Sequence, residues 1–478
     1  MTSIQIGRTE GGLADEVTTQ GVWWLAGSDR DPVPGTVTFT STGLVRLELL
    51  DHLPDDHARG THVIHGRRIR GGRSGGKEMT LLDAVLRSTG ETSWDSDGHA
   101  KPLKSQTWVA SSYVSGGLLD DPDSTRFTAV TVKTRRLGKW TGIPQAEGNK
   151  RSERPRVLSV EIPSPIVCPV PGVGTVRLGW GETSHWSEMY ARVEIIPYWH
   201  VELDAPQTMD ELYRDILTPL LLWMTFVTGA GDRFQEVTLW RSSGSTPSDQ
   251  QSFLWYTGEW SDDLPRRVEP PAHEYLLPLK RIMTDLPKVL AAWFDMYRIA
   301  GWPMTEFMLP SLRSHNAYEE EKFLGVMRSM ESFHRLRYGG DEMPTDQFNE
   351  LINGVLERAQ DVDERKFLSE SLMYANAMTQ RKRLRDLVAM SSPAIQALES
   401  KNKKLISKAI TLRNDFTHGA AERASDSDLW EMSNATTLLE VVMTSVWLKT
   451  CGLDDETVDD SLRGSYAWGF VTAVLKVN

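Results

Sequence analysis

Ser392-Pro393-Ala394-Ile395-Gln396-Ala397-Leu398-Glu399-Ser400-Lys401-Asn402-Lys403-Lys404-Leu405-Ile406-Ser407-Lys408-Ala409-Ile410-Thr411-Leu412-Arg413-Asn414-Asp415-Phe416-Thr417-His418-Gly419 decides how the second half of the chain is read. Serine at the N-cap, proline at the first helical position and a closing glycine predict one helix over Pro393–His418. Projected at about 100° per residue, Leu405, Ala409, Leu412 and Phe416 form one stripe. Ile406, Ile410 and Thr417 form an adjacent stripe, and Arg413 projects from that side. Lys404 and Lys408 fall off this double face, with Lys401 at its edge. Two neighbouring apolar stripes predict packing against the helix's own bundle and against a second surface.

The last turn carries the chemistry. A histidine moves a proton near neutral pH, and an arginine grips a phosphate through a planar fork of donors. Arg413 and His418 are five positions apart, which is about 140° of helical rotation, so spacing alone does not bring them together. Either His418 swings where the helix ends at Gly419, or one chain's arginine serves another's histidine across a two-fold axis. Asn414 or Thr417 would orient the imidazole or bind phosphate. The bland reading is a histidine complementing the helix dipole and an arginine in an ion pair.

The approach to this pair is basic. Arg381, Lys382, Arg383, Arg385, Lys401, Lys403, Lys404, Lys408 and Arg413 face only Asp386 and Glu399 in the same stretch. The chain as a whole carries −12, which argues against nucleic-acid binding until distribution is weighed. Lys401, Lys404 and Lys408, with Thr417, are the candidate nucleic-acid contacts. A solvated helix face is the plain alternative.

Working outward, nearly everything beyond Pro271 has helical periodicity: Glu319–Tyr338, Thr345–Ala359, Glu364–Met378 and Asp428–Lys449. The first half reads as strands and turns. Gly35–Thr40 and Leu44–Leu49 alternate around Ser41-Thr42-Gly43, a hairpin signature, and further strands are predicted at Phe127–Thr134, Val157–Ile162, Val173–Trp180, Val193–Trp199 and Glu236–Arg241. Thr208-Met209-Asp210-Glu211 has the form of a capping box, starting a helix that runs toward Thr228. Ser261–Pro271, rich in proline and charge, suits a linker. The expected architecture is therefore α+β: a β-rich domain over 1–262, a linker over 263–274 and a helical bundle over 275–478.

Other classes lose support. No apolar run at the start suits a signal peptide, and the apolar stretch from Leu217 to Val227 is interrupted by Pro219 and short of the roughly 20 residues a span needs. Cys168 and Cys451 alone give no disulfide framework or zinc set, so a cytoplasmic protein without metal, cofactor or membrane partner is expected. Gly71–Lys77 satisfies Gly-x4-Gly-Lys, but Glu78 stands where Ser or Thr should bind magnesium, and no buried strand precedes it. The same loop contains a formal Gly-x-Ser-x-Gly without a hydrolase strand. His52, His57, His62 and His65 match no standard metal spacing, and Trp23, Trp24 and Trp199 read as core.

Arg413-Asn414-Asp415-Phe416-Thr417-His418 resembles the Arg-x4–6-His signature of HEPN ribonucleases. A Gly-Thr-Val strand, a Leu-Glu-Leu strand, Met79-Thr80-Leu81-Leu82 after a Gly-rich turn, and Leu137-Gly138-Lys139-Trp140-Thr141-Gly142 are together similar to the N-terminal domain of ApeA-type proteins. That family joins such a domain to a C-terminal HEPN bundle. The resemblance implies an endoribonuclease, commonly a homodimer through the HEPN bundle, that acts in anti-phage abortive infection by cleaving host RNA, often tRNA. Arg413, His418 and Asn414 would be its catalytic residues, joined by Glu331, which resembles an acidic position of many HEPN sequences and would orient Arg413. The N-terminal domain would meet a phage-derived trigger or restrain the nuclease. The rival reading is a non-catalytic HEPN module for dimerisation or RNA binding, and a third is a small-molecule sensor in the β domain.

Overall fold

The computed structural model describes residues 17–26, 32–39, 44–53, 67–73, 77–92, 103–119, 121, 123–142, 147–148, 158–159, 162–186, 191–242, 250–257, 270–312, 318–417 and 426–475. The chain divides into two compact units, 1–224 with 232–267, and 225–231 with 268–478.

The first unit is an antiparallel β structure. Its strands are β1 (Val17–Leu25), β2 (Val33–Phe39), β3 (Val45–Leu49), β4 (Arg67–Arg73), β5 (Lys77–Thr92), β6 (Leu103–Ala110), β7 (Ser112–Ser115), β8 (Phe127–Thr134), β9 (Glu147–Gly148), β10 (Leu158–Ser159), β11 (Ile166–Val170), β12 (Gly174–Trp186), β13 (Ala191–Gln207), β14 (Phe234–Ser242) and β15 (Gln250–Thr257). Pairing runs β11-β12-β13-β8-β14-β15-β7-β5-β4-β1-β2-β3-β6, and β6 returns to pair with β5. The ring β5-β4-β1-β2-β3-β6 is thus a closed six-stranded barrel, and β7 extends the sheet from β5. The alternating Val37, Val45, Leu47 and Leu49 of the β2–β3 hairpin point inward with Trp23, Ile69, Met79, Leu81 and Trp108. The predicted hairpin is present, while its turn residues lie outside the described residues.

Sixteen residues of β5 serve two sets of partners. Met79–Leu82 pair with β7, and Val85–Thr92 pair with β6. Between them Asp83 takes φ 50°, and the register with β4 shifts there. An Asp tolerates that left-handed conformation, and the extra residue lets one strand change neighbours. Gly71 sits opposite Trp23, and a Cβ there would come within 2.2 Å of the indole. The Gly-x4-Gly-Lys stretch is accordingly a hairpin arm: Arg73 pairs with Lys77, and residues 74–76 lie outside the described set.

Two helices and the start of a third add to this unit's core: α1 (Leu137–Thr141), α2 (Met209–Leu212) and α3 (Thr218–Thr228), whose residues from 225 on belong to the second unit; a π-helical segment, Tyr213–Leu217, joins α2 to α3. The Thr208 capping box forms: Glu211 N–H donates to Thr208 Oγ1 at 3.3 Å, and Thr208 N–H donates to Glu211 Oε2 at 2.8 Å. Trp140 packs on Trp199 and Trp223 at ring distances of 5.9 and 6.3 Å. Asp232 is fully buried; its Oδ1 accepts from the Arg233 and Arg136 amides and lies 4.0 Å from the Arg136 guanidinium. Burial pushes the Asp232 carboxyl above the usual range, against the pull of the Thr134 and backbone hydrogen bonds and of Arg136. Of the predicted strand Val157–Ile162, only Leu158–Ser159 is seen as strand, with three of its residues outside the described set. Of the four histidines whose spacing fits no metal site, only His52 is described.

The second unit is helical: α4 (Leu279–Ile282), α5 (Leu286–Leu312), α6 (Glu319–Tyr338), α7 (Thr345–Leu356), α8 (Val362–Leu372), α9 (Gln380–Met390), α10 (Pro393–Lys401), α11 (Lys403–Thr417), α12 (Asp426–Thr450), α13 (Asp455–Arg463) and α14 (Tyr466–Val474). α12 is the central helix, buried around much of its circumference. Its Trp447 meets Phe226, Trp293, Phe307 and Phe333 at 4.8–6.3 Å. α5 bends at Ala300 (φ −132°, ψ 33°), three residues before Pro303, whose ring cannot donate a helical hydrogen bond.

The single helix expected over Pro393–His418 is corrected to two. Asn402 (φ −118°, ψ 23°) separates α10 from α11, its Nδ2 donating back to the Leu398 carbonyl at 2.9 Å. Asparagine competes with the backbone in this way and favours a break. Ser392 does take the N-cap conformation, but its hydroxyl bonds Asp459 instead of capping. On α11 the buried residues are Ile406, Ala409, Ile410 and Leu412; Leu405 and Phe416, expected on a core stripe, are half-buried. Among the described residues no helix is long and apolar enough to cross a membrane.

Candidate functional site

α6 forms because Phe323, Val326, Met327, Met330 and Phe333 recur at helical spacing, with Glu319–Glu321 in its first turn and Arg335 and Arg337 in its last. Gly339, at φ 94°, ends it. Beside that apolar face stands Glu331, half-exposed. α9 follows its N-cap Thr379, whose hydroxyl accepts from the Lys382 amide at 3.3 Å; the helix lies against α6 and buries Leu384 and Leu387. α11 lies against α9 and α12.

At the meeting of α6, α9 and α11, Glu331 Oε2 lies 3.7 Å from Arg413 Nη2 and accepts from Gln380 Nε2 at 3.3 Å. Arg413 Nη1 donates to Asn414 Oδ1 at 3.3 Å. Three candidate residues from sequence, Glu331, Arg413 and Asn414, are therefore together on two helices. The pair is 32% and 28% exposed, so solvent and ligands reach it. His418 lies outside the described residues, as does the Thr417 side chain.

The lysines divide. Lys401 ends α10, and Lys404 lies in the first turn of α11; both are exposed. Lys408 is 2.9 Å from Glu431 and 4.0 Å from Asp428 on α12, and the hydrogen bond to Glu431 holds its ammonium above the usual lysine range.

One turn beyond Glu331, sequence reasoning passed over His334. Its ring is 1% exposed, with Nε2 3.3 Å from Asp386 Oδ2 on α9. Burial lowers its pKa, outweighing the opposing pull of Asp386, with Arg383 and Lys382 adding to the fall. Arg383 is also buried, donating to the Met378 and Gly340 carbonyls. No spacing within one helix signals this contact, because His334 and Asp386 lie on different helices. Gln380 carries no motif at all. Both cysteines are buried, and burial pushes each thiol up to about 12, so neither offers a thiolate near neutral pH. Among the described residues no three His, Cys, Asp or Glu side chains are grouped to hold a metal ion.

Residues 18–293 match the model of ApeA N-terminal domain 1, more than half of the chain, and residues 324–457 match that of the Apea-like HEPN domain. The chain belongs to the ApeA-type HEPN family. No curated protein and no solved structure matches it. In this ApeA-type protein, Glu331, Gln380, Arg413 and Asn414 all fall within the matched HEPN segment, as does the sequence position of His418. HEPN domains are generally ribonucleases that typically dimerise and bind RNA. Membership therefore supports an RNA-related role in abortive infection.

Proposed function

We propose that this chain is a metal-independent endoribonuclease that cleaves RNA, with tRNA the first candidate, in anti-phage abortive infection. What supports the reading above all is the Glu331–Arg413 pair, held half-exposed inside the matched HEPN segment, five residues before a histidine. An arginine kept in place by a carboxylate but still reachable is suited to gripping a phosphate.

In the proposed reaction the His418 imidazole removes the proton of a ribose 2′-OH. The 2′-oxygen attacks the adjacent phosphorus, and the P–O5′ bond breaks, leaving a 2′,3′-cyclic phosphate. Arg413 offsets charge developing on the non-bridging oxygens. The histidinium of a second copy supplies the proton to the departing 5′-oxygen, so a homodimer through the HEPN bundle provides acid and base from one motif. Asn414 braces Arg413, and Lys401 and Lys404 attract the backbone. The protein works in the cytoplasm, and an N-terminal domain over residues 1–262, with the linker 263–274 before a HEPN domain over 275–478, receives a phage-derived trigger.

The test is incubation of wild type, His418→Ala and Arg413→Ala with total tRNA in EDTA, then analysis of fragment ends. Fragments ending in 2′,3′-cyclic phosphate from wild type alone are expected. Cleavage that requires a divalent ion overturns the metal-independent mechanism. RNA bound but left whole, even with lysate of phage-infected cells, replaces the enzyme with the non-catalytic module.

A further inference from the structure

The candidate arginine does not stand on its own helix's contacts alone. Its partner carboxylate, on α6, uses one oxygen, Oε2, to meet both Arg413 Nη2 from α11 and Gln380 Nε2 from α9. A carboxylate that is half-exposed keeps rotamer freedom, and an exposed ion pair alone fixes little. A second, neutral donor on the same oxygen removes part of that freedom without competing for the charge. Gln380 suits this task. It is the first residue of α9, directly after the Thr379 cap, so its backbone is pinned by the helix start. Further along the same two helices, the His334–Asp386 contact joins α6 to α9 a second time. α9 is thus a brace along α6, and its first side chain reaches the oxygen that faces Arg413.

We propose that Gln380 is a positioning residue for Arg413, acting through Glu331. Its amide holds the Glu331 carboxylate in the rotamer that presents Oε2 to the guanidinium. Gln380 touches no reacting atom. The proposal rests on the nuclease reading only for its effect on cleavage; the orientation of Arg413 is measurable without RNA.

Two measurements on full-length protein test it. The first is hydrogen exchange of the Arg413 guanidinium by 15N NMR, assigned with Arg413→Lys, in wild type, Gln380→Ala, Glu331→Ala and the double variant, with thermal melts to verify folding. Faster exchange is expected in Gln380→Ala, and the double variant should match Glu331→Ala alone, because Gln380 acts only through Glu331. Unchanged exchange in a folded Gln380→Ala, or additive effects in the double variant, overturns the proposal. The second is steady-state cleavage of tRNA, where kcat should fall roughly three- to tenfold with KM within about twofold, the pattern of a lost transition-state interaction. A rise in KM alone overturns the positioning role. If wild type cleaves nothing, the nuclease reading fails, while exchange at Arg413 still decides whether Gln380 orients it.

Discussion

Two arginine–carboxylate pairs, one in each unit, show opposite uses of the same chemistry. Asp232 and Arg136 are 0% and 9% exposed in the β unit, whereas Glu331 and Arg413 are 32% and 28% exposed in the helical unit. The first pair ties the turn after β8 to the turn before β14, with backbone amides sharing the carboxylate. The second sits at a helical seam, where water competes with it. Burial makes a charge pair costly to break, and exposure makes it cheap to break and therefore available to a ligand.

The largest expected effect is on the buried pair. Asp232→Ala leaves the Arg136 guanidinium in a buried site without that carboxylate and should lower stability by roughly 3–5 kcal/mol, read as a fall in the denaturant midpoint of the β unit. Arg413→Ala should do the reverse. Cleavage falls about 100-fold or more, while stability moves by less than about 1 kcal/mol. A large stability loss in Arg413→Ala would erase the contrast between the two pairs.

A third prediction sharpens it by pH. His334 is buried, and its folded pKa lies below the ordinary 6.5. Below 6.5 the unfolded chain binds this proton before the folded one does, so stability should decline as pH falls from 6.5 toward the folded value. His334→Gln should flatten Tm against pH in that window, provided the variant folds. His200 in the β unit shifts the same way, driven by burial against the opposing pull of Glu202, and serves as the comparison site. The smallest effect separates the lysines. Lys404→Ala should shallow the log–log salt dependence of RNA binding by about 0.7–0.9, whereas Lys408→Ala should change it less, because its ammonium is engaged by Glu431.

Local signals were legible where one physical rule acted alone. The Thr208 box, the β2–β3 alternation and the span of α6 follow from capping, period-two burial and period-3.6 burial. β5 was hidden because Met79, Thr80, Leu81 and Leu82 are all buried, which erases alternation where the strand is covered on both faces. α9 was hidden by its charges: Arg381, Lys382, Arg383 and Arg385 read as a basic run, although Arg383 is buried and Leu384 and Leu387 pack inward. The break at Asn402 depends on one side-chain hydrogen bond that no periodicity reports. At the site, Arg413 came from its spacing to His418, and Glu331 from resemblance. Gln380 depends on a contact between helices 49 positions apart in sequence, which a single sequence does not encode visibly.

Closure of the barrel also bears on how the β unit avoids its own kind. Since β6 turns back onto β5, the long row of strands has one terminal strand among the described residues, β11. An open strand edge is a template on which another chain can add and from which fibrils can grow. β11 is five residues long and carries Pro169, which has no amide hydrogen to offer an incoming strand. Among the described residues, the strand that ends this row is thus short and chemically blunted against self-association.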